Sequence, residues 1–372
     1  MKIALLEPFL TGSHAAWAQE YQAHSRHDVK ILCLEGKYWK WRMHGGAVSL
    51  ARQFLAEGLC PDLLLVTDML DLTTFLALTR ELTADIPVAL YMHENQLTYP
   101  WSPTDADVQQ QRDAHYAFIN YSSALVADAV LFNSDYHRQS FLQELPPFLK
   151  SFPDQNEIET VKRIADKSRT LTLGLDLRKF DQYRTVAGFQ ADRPPLILWN
   201  HRWEYDKNPE EFFRALYYLQ EQAVAFEVAV LGESYHQLPQ VFAAAKKRLA
   251  ERILHWGYVE TFSDYARWLW RADILPVTSI HDFFGVSVVQ AIYCGCQPLL
   301  PQRLAYPEHI EAEYHAQCFY TDFNDLVARL SQACQAFERT SHSQLSSSVY
   351  RYDWVRMAAI YDDLLGNLAA KA

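Results

Sequence analysis

The stretch "LILWNHRWEYDKNPEEFF", residues 196–213, begins with an apolar run and ends in a helix start. A short, continuous apolar run is typical of a strand buried on both faces of a parallel sheet. Residues 208–211, Asn-Pro-Glu-Glu, are typical of a helix N-terminus. Arg202 and Lys207 lie in the turn between the two elements. The stretch therefore predicts a strand, a cationic loop and a helix.

The same order of elements recurs along the whole chain. Apolar runs separated by segments of helix length occur at residues 2–9, 29–34, 62–68, 88–93 and 129–134, and again at 196–202, 226–232 and 272–279. This alternation predicts α/β domains with parallel sheets. The polar, proline-punctuated region between the two series predicts an N-terminal domain over 1–170, a linker over 171–195 and a second domain over 196–345.

Composition narrows the class of protein. The chain has 372 residues, 49% of them hydrophobic, and a formal net charge of -11, which argues against a protein that coats nucleic acid by bulk charge. A nucleic-acid partner would have to be held by a local basic patch. The N-terminus lacks the apolar core of a signal peptide, and no window resembles a membrane span. The six cysteines form no CxxC pair, so we expect reduced thiols and a cytoplasmic protein.

Polar residues follow the apolar runs of the first half. Gly12 and Ser13 come after the first run, where a glycine turn and a helix start could face an anion; an ordinary helix start is the alternative. His93, Glu94, Asn95 and Gln96 follow the run at 88–93. Ligands of α/β sheets bind at the carboxyl ends of strands, so these side chains could read a sugar.

In the second half, Arg202 and Lys207 suit a diphosphate, Arg as a planar fork and Lys as a movable point charge. The alternative is a pair of solvated surface cations. A glycine turn at Gly257 and Tyr258 could present backbone groups to a nucleobase.

Residues 37–42 interleave cations with aromatic side chains. Lys37, Lys40 and Arg42 could hold a phosphate backbone while Trp39 and Trp41 stack on a base. The alternative is an amphipathic edge with snorkelling lysines.

Two patterns resemble metal motifs without matching them. Cys294 and Cys296 form a CxC without a second pair, which favours tight packing. Asp105 and Asp107 form a DxD in a polar segment away from any strand end, so we interpret them as surface charge. The sequence predicts no metal and no cofactor.

Ordered motifs connect these features to a known family. "HRWEYDKNPE" resembles the Arg-x4-Lys phosphate clamp of retaining glycosyltransferases of the family-four type, and "DFFGVSVVQAIYCGCQPLLP" resembles their E-F-G-x5-E-A-x2-C-G-x-P segment. With "GSH", "KYWKWR", "HENQLTYP", "VAVLGE" and "LHWGY", the chain resembles the tRNA-queuosine mannosyltransferase family from about residue 10 to residue 310.

The resemblance implies a GT-B fold, with two Rossmann-like domains facing across a cleft and a terminal helix over 346–372 crossing back to the first domain. It implies GDP-mannose as donor and queuosine in tRNA as acceptor. His93, Arg202, Lys207 and Asp282 would be catalytic, with the diphosphate on Arg202 and Lys207. The implied donor and acceptor contacts are Gly12, Ser13, Gly232, Gly257, Tyr258, Phe283, Phe284, Gly285 and Gln290 for the donor, and Lys37, Trp39, Lys40, Trp41, Arg42, Glu94 and Asn95 for the acceptor.

The chain departs from the family pattern at two acids. Asp282 stands where Glu is usual, and Gln290 replaces a second Glu whose carboxylate accepts from ribose hydroxyls. Glutamine keeps a carbonyl acceptor and loses the charge, so altered ribose contacts are expected. Two other functions fit the same residues: transfer to a small metabolite or envelope glycan, and a non-catalytic tRNA- or nucleotide-binding relative.

Overall fold

The structure is a computed structural model that describes residues 1–101, 114–184, 193–233, 240–336 and 343–371. Asp105, Asp107 and part of the predicted linker lie outside these residues. The chain forms two compact units: the first unit comprises Met1–Asp176 and Tyr352–Ala372, and the second unit comprises Leu177–Arg351.

The first unit contains a six-stranded parallel sheet with the order β2-β1-β3-β4-β5-β6. Its strands are β1 Lys2–Leu10, β2 Asp28–Glu35, β3 Leu63–Thr67, β4 Val88–Met92, β5 Ala129–Phe132 and β6 Ser168–Thr170. Its helices are α1 Gly12–His24, α2 Trp39–Glu57, α3 Leu72–Thr83, α4 Ala114–Val126, α5 Asp135–Lys150 and α6 Thr160–Lys167. The five apolar runs of the first half form β1 to β5.

The core of the first unit explains why the runs are continuous. β3 and β4 are buried along their whole length. Leu50 and Phe54 of α2 and Phe75 of α3 belong to the same apolar cluster as the strands. Because crossover helices cover both faces of a parallel sheet, both faces of each strand carry apolar side chains.

The second unit repeats the architecture with the strand order β12-β11-β10-β7-β8-β9. Its strands are β7 Leu196–Trp199, β8 Glu227–Val230, β9 Ile253–Trp256, β10 Ile274–Pro276, β11 Gln297–Pro301 and β12 Phe319–Tyr320. Its helices are α7 Pro209–Glu221, α8 Gln240–Arg248, α9 Phe262–Arg271, α10 Val286–Tyr293, α11 His315–Cys318, α12 Phe323–Gln335 and α13 Ser343–Val349. The prediction of two α/β domains with parallel sheets is confirmed.

The last helix, α14 Trp354–Ala369, packs on the first unit. Asp362 accepts hydrogen bonds from Tyr21, Ser25 and the backbone N–H of Arg26. The helix begins later than the predicted residue 346, because the Asp353 carboxylate accepts from the Val355 N–H and starts a new helix after α13. Within the described ranges, no helix combines the length and apolar character needed to cross a bilayer.

Candidate functional site

A buried polar cluster lies at the carboxyl ends of three neighbouring strands in the first unit. Glu7 is in β1, Asp68 follows β3 and His93 follows β4. All three are at least nine-tenths buried. Polar groups are rarely placed there for packing alone, and the carboxyl edge of a parallel sheet is where α/β proteins bind ligands.

Glu7 and His14 form the centre of this cluster. His14, in the first turn of α1, places its Nδ1 3.1 Å from Glu7 Oε2, and Glu7 Oε1 accepts from the backbone N–H of Phe9 at 2.9 Å. Burial alone lowers the pKa of His14, but the negative charge of Glu7 and the hydrogen bond to it, with Asp68 and Glu94 nearby, raise that pKa to about 9. His14 is therefore an imidazolium at neutral pH, with Nδ1–H donating to Glu7.

His93 has the opposite charge state. Its ring lies 4.3 Å from the His14 ring and contacts Trp17 and Tyr91 edge-on. Burial, and then the positive charge of His14, hold the pKa of His93 well below its ordinary value. Its buried Nε2 has no hydrogen-bond partner among the described residues. The cluster thus presents a neutral imidazole whose Nε2 is unused beside a charged one.

Asp68 fixes the position of His93. Its Oδ1 accepts the backbone N–H of His93 at 2.7 Å, and Asn133 donates to the His93 carbonyl at 2.8 Å. Burial raises the pKa of Asp68 to about 8, against the opposing charge of His14. The backbone at residue 93 is therefore held from two sides.

Sequence reasoning missed Glu7, His14 and Asp68. The signals were an acid inside the apolar run "IALLEPF", the histidine of "GSH" and the aspartate that ends "LLLVTD". Each alone is a common residue, and only the sheet order brings them together.

Glu7, His14 and His93 also have ligand atoms within 4.8 Å of one another, a spacing that could accommodate a metal ion. Metal binding requires neutral imidazoles. In this structure His14 and Glu7 are hydrogen-bonded to each other, so a metal ion would have to displace the proton between them.

The loop after β4 divides its polar residues between surface and interior. Glu94 is half-buried and accepts from the Gln96 amide at 2.9 Å. Asn95 is fully buried, and its Oδ1 accepts the backbone N–H groups of Leu97 and Thr98. The Asn95 side chain therefore closes an Asx turn, and its acceptor contact stays a prediction.

Gly12 and Ser13 are exposed at the start of α1. Gly12 has φ +52°, and an added Cβ would meet no neighbour. The glycine is thus favoured by backbone conformation rather than by a close approach within the unit.

Residues 37–42 surround the start of α2. Lys37 pairs with Glu35, and Arg42 donates to the Glu35 carbonyl at 3.0 Å. Trp39 is half-buried against Trp101 and Tyr116, and the Lys40 ammonium lies over the rings of Trp39 and Trp101. Trp41, by contrast, is exposed. Trp39 therefore anchors the helix, whereas Trp41 faces solvent.

In the second unit, Lys207 is buried between two aspartates. Its ammonium lies 3.2 Å from Asp282 Oδ2 and 3.1 Å from Asp206 Oδ2, and it donates to the His281 carbonyl at 3.0 Å. Burial lowers the pKa of Lys207, but the two carboxylates outweigh burial and raise it. Burial in turn raises the pKa of Asp282, but Lys207, His201 and His281 together outweigh burial and lower that pKa. A buried cation and anion are thus maintained together.

Arg202 differs from Lys207 in its surroundings. Its side chain is exposed, and its positive charge acts on the pKa values of Lys207, His201 and Glu204. The two predicted cations are therefore electrostatically coupled, and two buried aspartates fix Lys207.

Gln290, on α10, is held by Tyr265 of α9. Tyr265 donates to Gln290 Oε1 at 2.9 Å, so the carbonyl expected to accept from a ribose already has a partner. Asn200 Oδ1 and His201 Nε2, at the end of β7, are buried without hydrogen-bond partners among the described residues. Asn200 also donates to the Ser287 carbonyl on α10 at 2.8 Å. Unsatisfied polar atoms beside Gln290 suit a polar ligand.

The remaining predicted donor residues have mixed environments. A Cβ at Gly232 would lie 2.0 Å from the His201 carbonyl oxygen, so this glycine permits close backbone packing. Gly257 has φ +126° with open space beside it, and Tyr258 is exposed. Phe283 and Phe284 are buried, and Gly285 precedes α10 with φ +94°. The phenylalanine rings therefore pack into the unit, and Gly285 permits the turn before α10.

Cys294 and Cys296 are buried thiols, and burial raises the pKa of each well above its ordinary value. Cys296 Sγ contacts the carbonyls of Leu269 and Ala272 at 3.5 Å. A raised pKa disfavours the thiolate that metals bind, so packing explains both cysteines.

With this geometry established, comparison with known proteins identifies the family. The tRNA-queuosine alpha-mannosyltransferase of Drosophila melanogaster is 33% identical over 339 residues, which cover 90% of this chain and 87% of that protein. The chain belongs to the tRNA-queuosine alpha-mannosyltransferase family. The family's N-terminal model matches residues 2–175, and the model of glycosyl transferases group 1 matches residues 185–338.

Solved structures agree with the fold of this tRNA-queuosine alpha-mannosyltransferase family member. Sucrose-phosphate synthase from Thermosynechococcus elongatus is similar with a TM-score of 0.72 at 15% identity, covering 100% of both chains. A glycosyltransferase from Rickettsia africae ESF-5 is similar with a TM-score of 0.69 at 13% identity, covering 100% of this chain and 99% of that one. The fold is GT-B and the protein is a glycosyltransferase.

In this family member, the structure brings together residues that the sequence separates. Lys207 meets Asp282 across 75 positions. His93 meets His14 at the carboxyl edge of the first sheet. A buried polar cluster is thus present in each unit.

Proposed function

We propose that this protein transfers mannose from GDP-mannose to queuosine in the anticodon of a tRNA, with retention of configuration at the sugar. The observation that carries the proposal is its 33% identity, over 90% of the chain, to a protein named tRNA-queuosine alpha-mannosyltransferase. The buried polar cluster of the second unit supplies groups for the donor, and that of the first unit supplies groups for the sugar and the acceptor.

In this proposal the second unit holds the donor. When the glycosidic bond breaks, negative charge develops on the departing diphosphate, and a preorganised cation stabilises that charge. Lys207 is such a cation, since Asp206 and Asp282 hold its ammonium in place before substrate arrives. Arg202, exposed and close enough to act on Lys207, supplies a second charge.

The first unit supplies the groups for the sugar and acceptor. His93 Nε2 is neutral and unpartnered, so it can exchange a hydrogen bond with a sugar hydroxyl. In retaining family-four-type enzymes, the resemblance implies that the donor's own phosphate assists the acceptor hydroxyl on the same face. No protein nucleophile is then required.

The proposal is tested by incubating the purified protein with GDP-mannose and queuosine-containing tRNA, and analysing the nucleosides by mass spectrometry. We expect one hexose to be added to queuosine. UDP-glucose and GDP-glucose in parallel reactions test the donor, and tRNA lacking queuosine tests the acceptor. Absence of transfer from every sugar nucleotide would contradict the proposal, as would equal transfer to a small-molecule glycan.

Gln290→Glu tests the nucleotide side of the site. A carboxylate at 290 can accept the Tyr265 hydrogen bond with one oxygen and a ribose hydroxyl with the other, so we expect GDP to bind about 3- to 10-fold more tightly. Isothermal titration with GDP measures the change. Gln297→Glu, an amide-to-acid change at the start of β11 of the same unit, is the control. Unchanged or weaker GDP binding in Gln290→Glu would place the ribose elsewhere.

A further inference from the structure

Two aromatic side chains beside the start of α2 face solvent. Tyr38 is 79% exposed and Trp41 is 63% exposed, the highest values among the large hydrophobic residues of the described chain. Exposing rings of this size forgoes the stabilisation that their burial would give. Single exposed apolar residues need no explanation, but two rings in one short segment point to a partner.

The Trp41 ring is seated on the helix backbone. A Cβ at Gly45 would lie 2.6 Å from both Cε2 and Cζ2 of Trp41, so the ring packs directly against the glycine one turn later. One face of the indole is thereby fixed, and much of the remaining surface is open. A ring held in this way can stack on a planar ligand at little further cost in entropy.

Tyr38 stands in a backbone conformation that L-residues rarely adopt. It has φ 54° and ψ 57°, immediately before α2, and its side chain does not cap the helix. Glycine or asparagine would tolerate this conformation better. Neither burial nor backbone conformation therefore favours a tyrosine at this position.

Cations flank the rings, and a buried cluster anchors the segment. Lys37, Lys40 and Arg42 lie within this stretch of a chain whose net charge is -11, and Glu35 pairs with Lys37, so two positive charges remain in excess. Trp39 packs against Trp101 and Tyr116 below the surface. Local positive charge on an acidic protein favours a polyanion, and the anchored helix start keeps the two rings in place.

This segment touches Thr11, the residue that precedes the helix carrying His14. Gly36 approaches Thr11 so closely that an added Cβ would lie 2.4 Å from the Thr11 side chain. Thr11 directly precedes Gly12, at the start of α1, and β2 pairs with β1 in the sheet. A ligand stacked on Tyr38 and Trp41 would thus lie along the same edge of the first sheet as the Glu7–His14–His93 cluster.

We propose that Tyr38 and Trp41 form a stacking platform for unpaired bases of an RNA loop, whose phosphates contact Lys37, Lys40 and Arg42. The inference rests on the proposed function for the identity of the RNA. Aromatic rings recognise bases only when these are unstacked, which favours a loop over a duplex. The platform would hold the nucleotides next to the modified base, leaving that base free to enter the site.

The test measures binding of an unmodified anticodon stem-loop RNA by fluorescence anisotropy, without sugar nucleotide. We expect Trp41→Ala and Tyr38→Ala each to weaken binding about 5- to 100-fold, with little change in its salt dependence. Lys37→Gln and Arg42→Gln should instead reduce the slope of log affinity against log salt by about one each. Tyr218→Ala, which removes an exposed ring from α7 of the second unit, is the matched control.

Gly45→Ala separates stacking from folding. It displaces the Trp41 ring while adding a helix-favouring residue, so RNA binding should weaken although thermal stability is kept. Wild-type affinity in both Trp41→Ala and Gly45→Ala would overturn the platform, as would equal or tighter binding of a duplex RNA. Platform-dependent loop binding by a wild-type protein that transfers no mannose would support the platform and contradict the proposed function.

Discussion

Lys207→Met is expected to reduce transfer by about 10²- to 10³-fold, the usual effect of removing one preorganised group that stabilises developing negative charge. It should also destabilise the fold by about 3–5 kcal/mol, because Asp206 and Asp282 would remain buried without their cation. Initial transfer rates and urea unfolding measure the two effects separately.

The double variant Lys207→Met, Asp282→Asn distinguishes the two roles. Lys207→Met leaves two buried carboxylates without a cation, and Asp282→Asn neutralises one of them. The free energy of unfolding should therefore partly recover, while the rate of transfer stays low. Lys246→Met, at an exposed position on α8, is the control for loss of a lysine. Full recovery of transfer in the double variant would show that Lys207 acts only in folding.

The free energy of unfolding is expected to fall by about 3 kcal/mol between pH 6.5 and pH 9, because His14 has a folded pKa of about 9 against its ordinary 6.5. A raised pKa means that the folded state binds the proton more tightly. The resulting stabilisation is complete below pH 6.5 and is lost as pH rises through 9. Asp68, whose pKa burial raises to about 8, changes stability in the same direction.

Glu7→Gln should remove most of the contribution of His14 to this dependence, because the neutral amide no longer favours the imidazolium. Urea unfolding at pH 6.5, 7.5 and 9 measures the pH dependence of the free energy of unfolding, and NMR of the imidazole carbons reports the His14 titration directly. Glu94 and Asp68 also face His14, so some elevation of its pKa should persist. His24→Gln, at an exposed position on the same helix, is the control. If the free energy of unfolding depends on pH in Glu7→Gln as it does in the wild type, the dependence comes from Asp68 rather than from His14.

Part of the site could be predicted from the sequence because it depends on strand ends. His93, Lys207 and Asp282 each follow an apolar run, and a parallel sheet places such residues at one edge. The motif order added the family, and the comparisons confirmed it. The Asx turn at Asn95 could not be predicted, because an exposed ligand-binding amide and a buried Asx turn have the same sequence signal.

The sequence by itself determined the two α/β units, since continuous apolar runs at helix-length spacing have few other ways to be buried. Only the tertiary structure decided the charge of each polar group. The Glu7 carboxylate stabilises the protonated form of His14, and the positive charge of His14 keeps His93 neutral. Tyr265 donates a hydrogen bond to the side-chain carbonyl of Gln290. The tertiary structure also separated the anchored Trp39 from the exposed Tyr38 and Trp41. These outcomes depend on burial and on neighbours distant in the chain, and a one-dimensional pattern specifies neither.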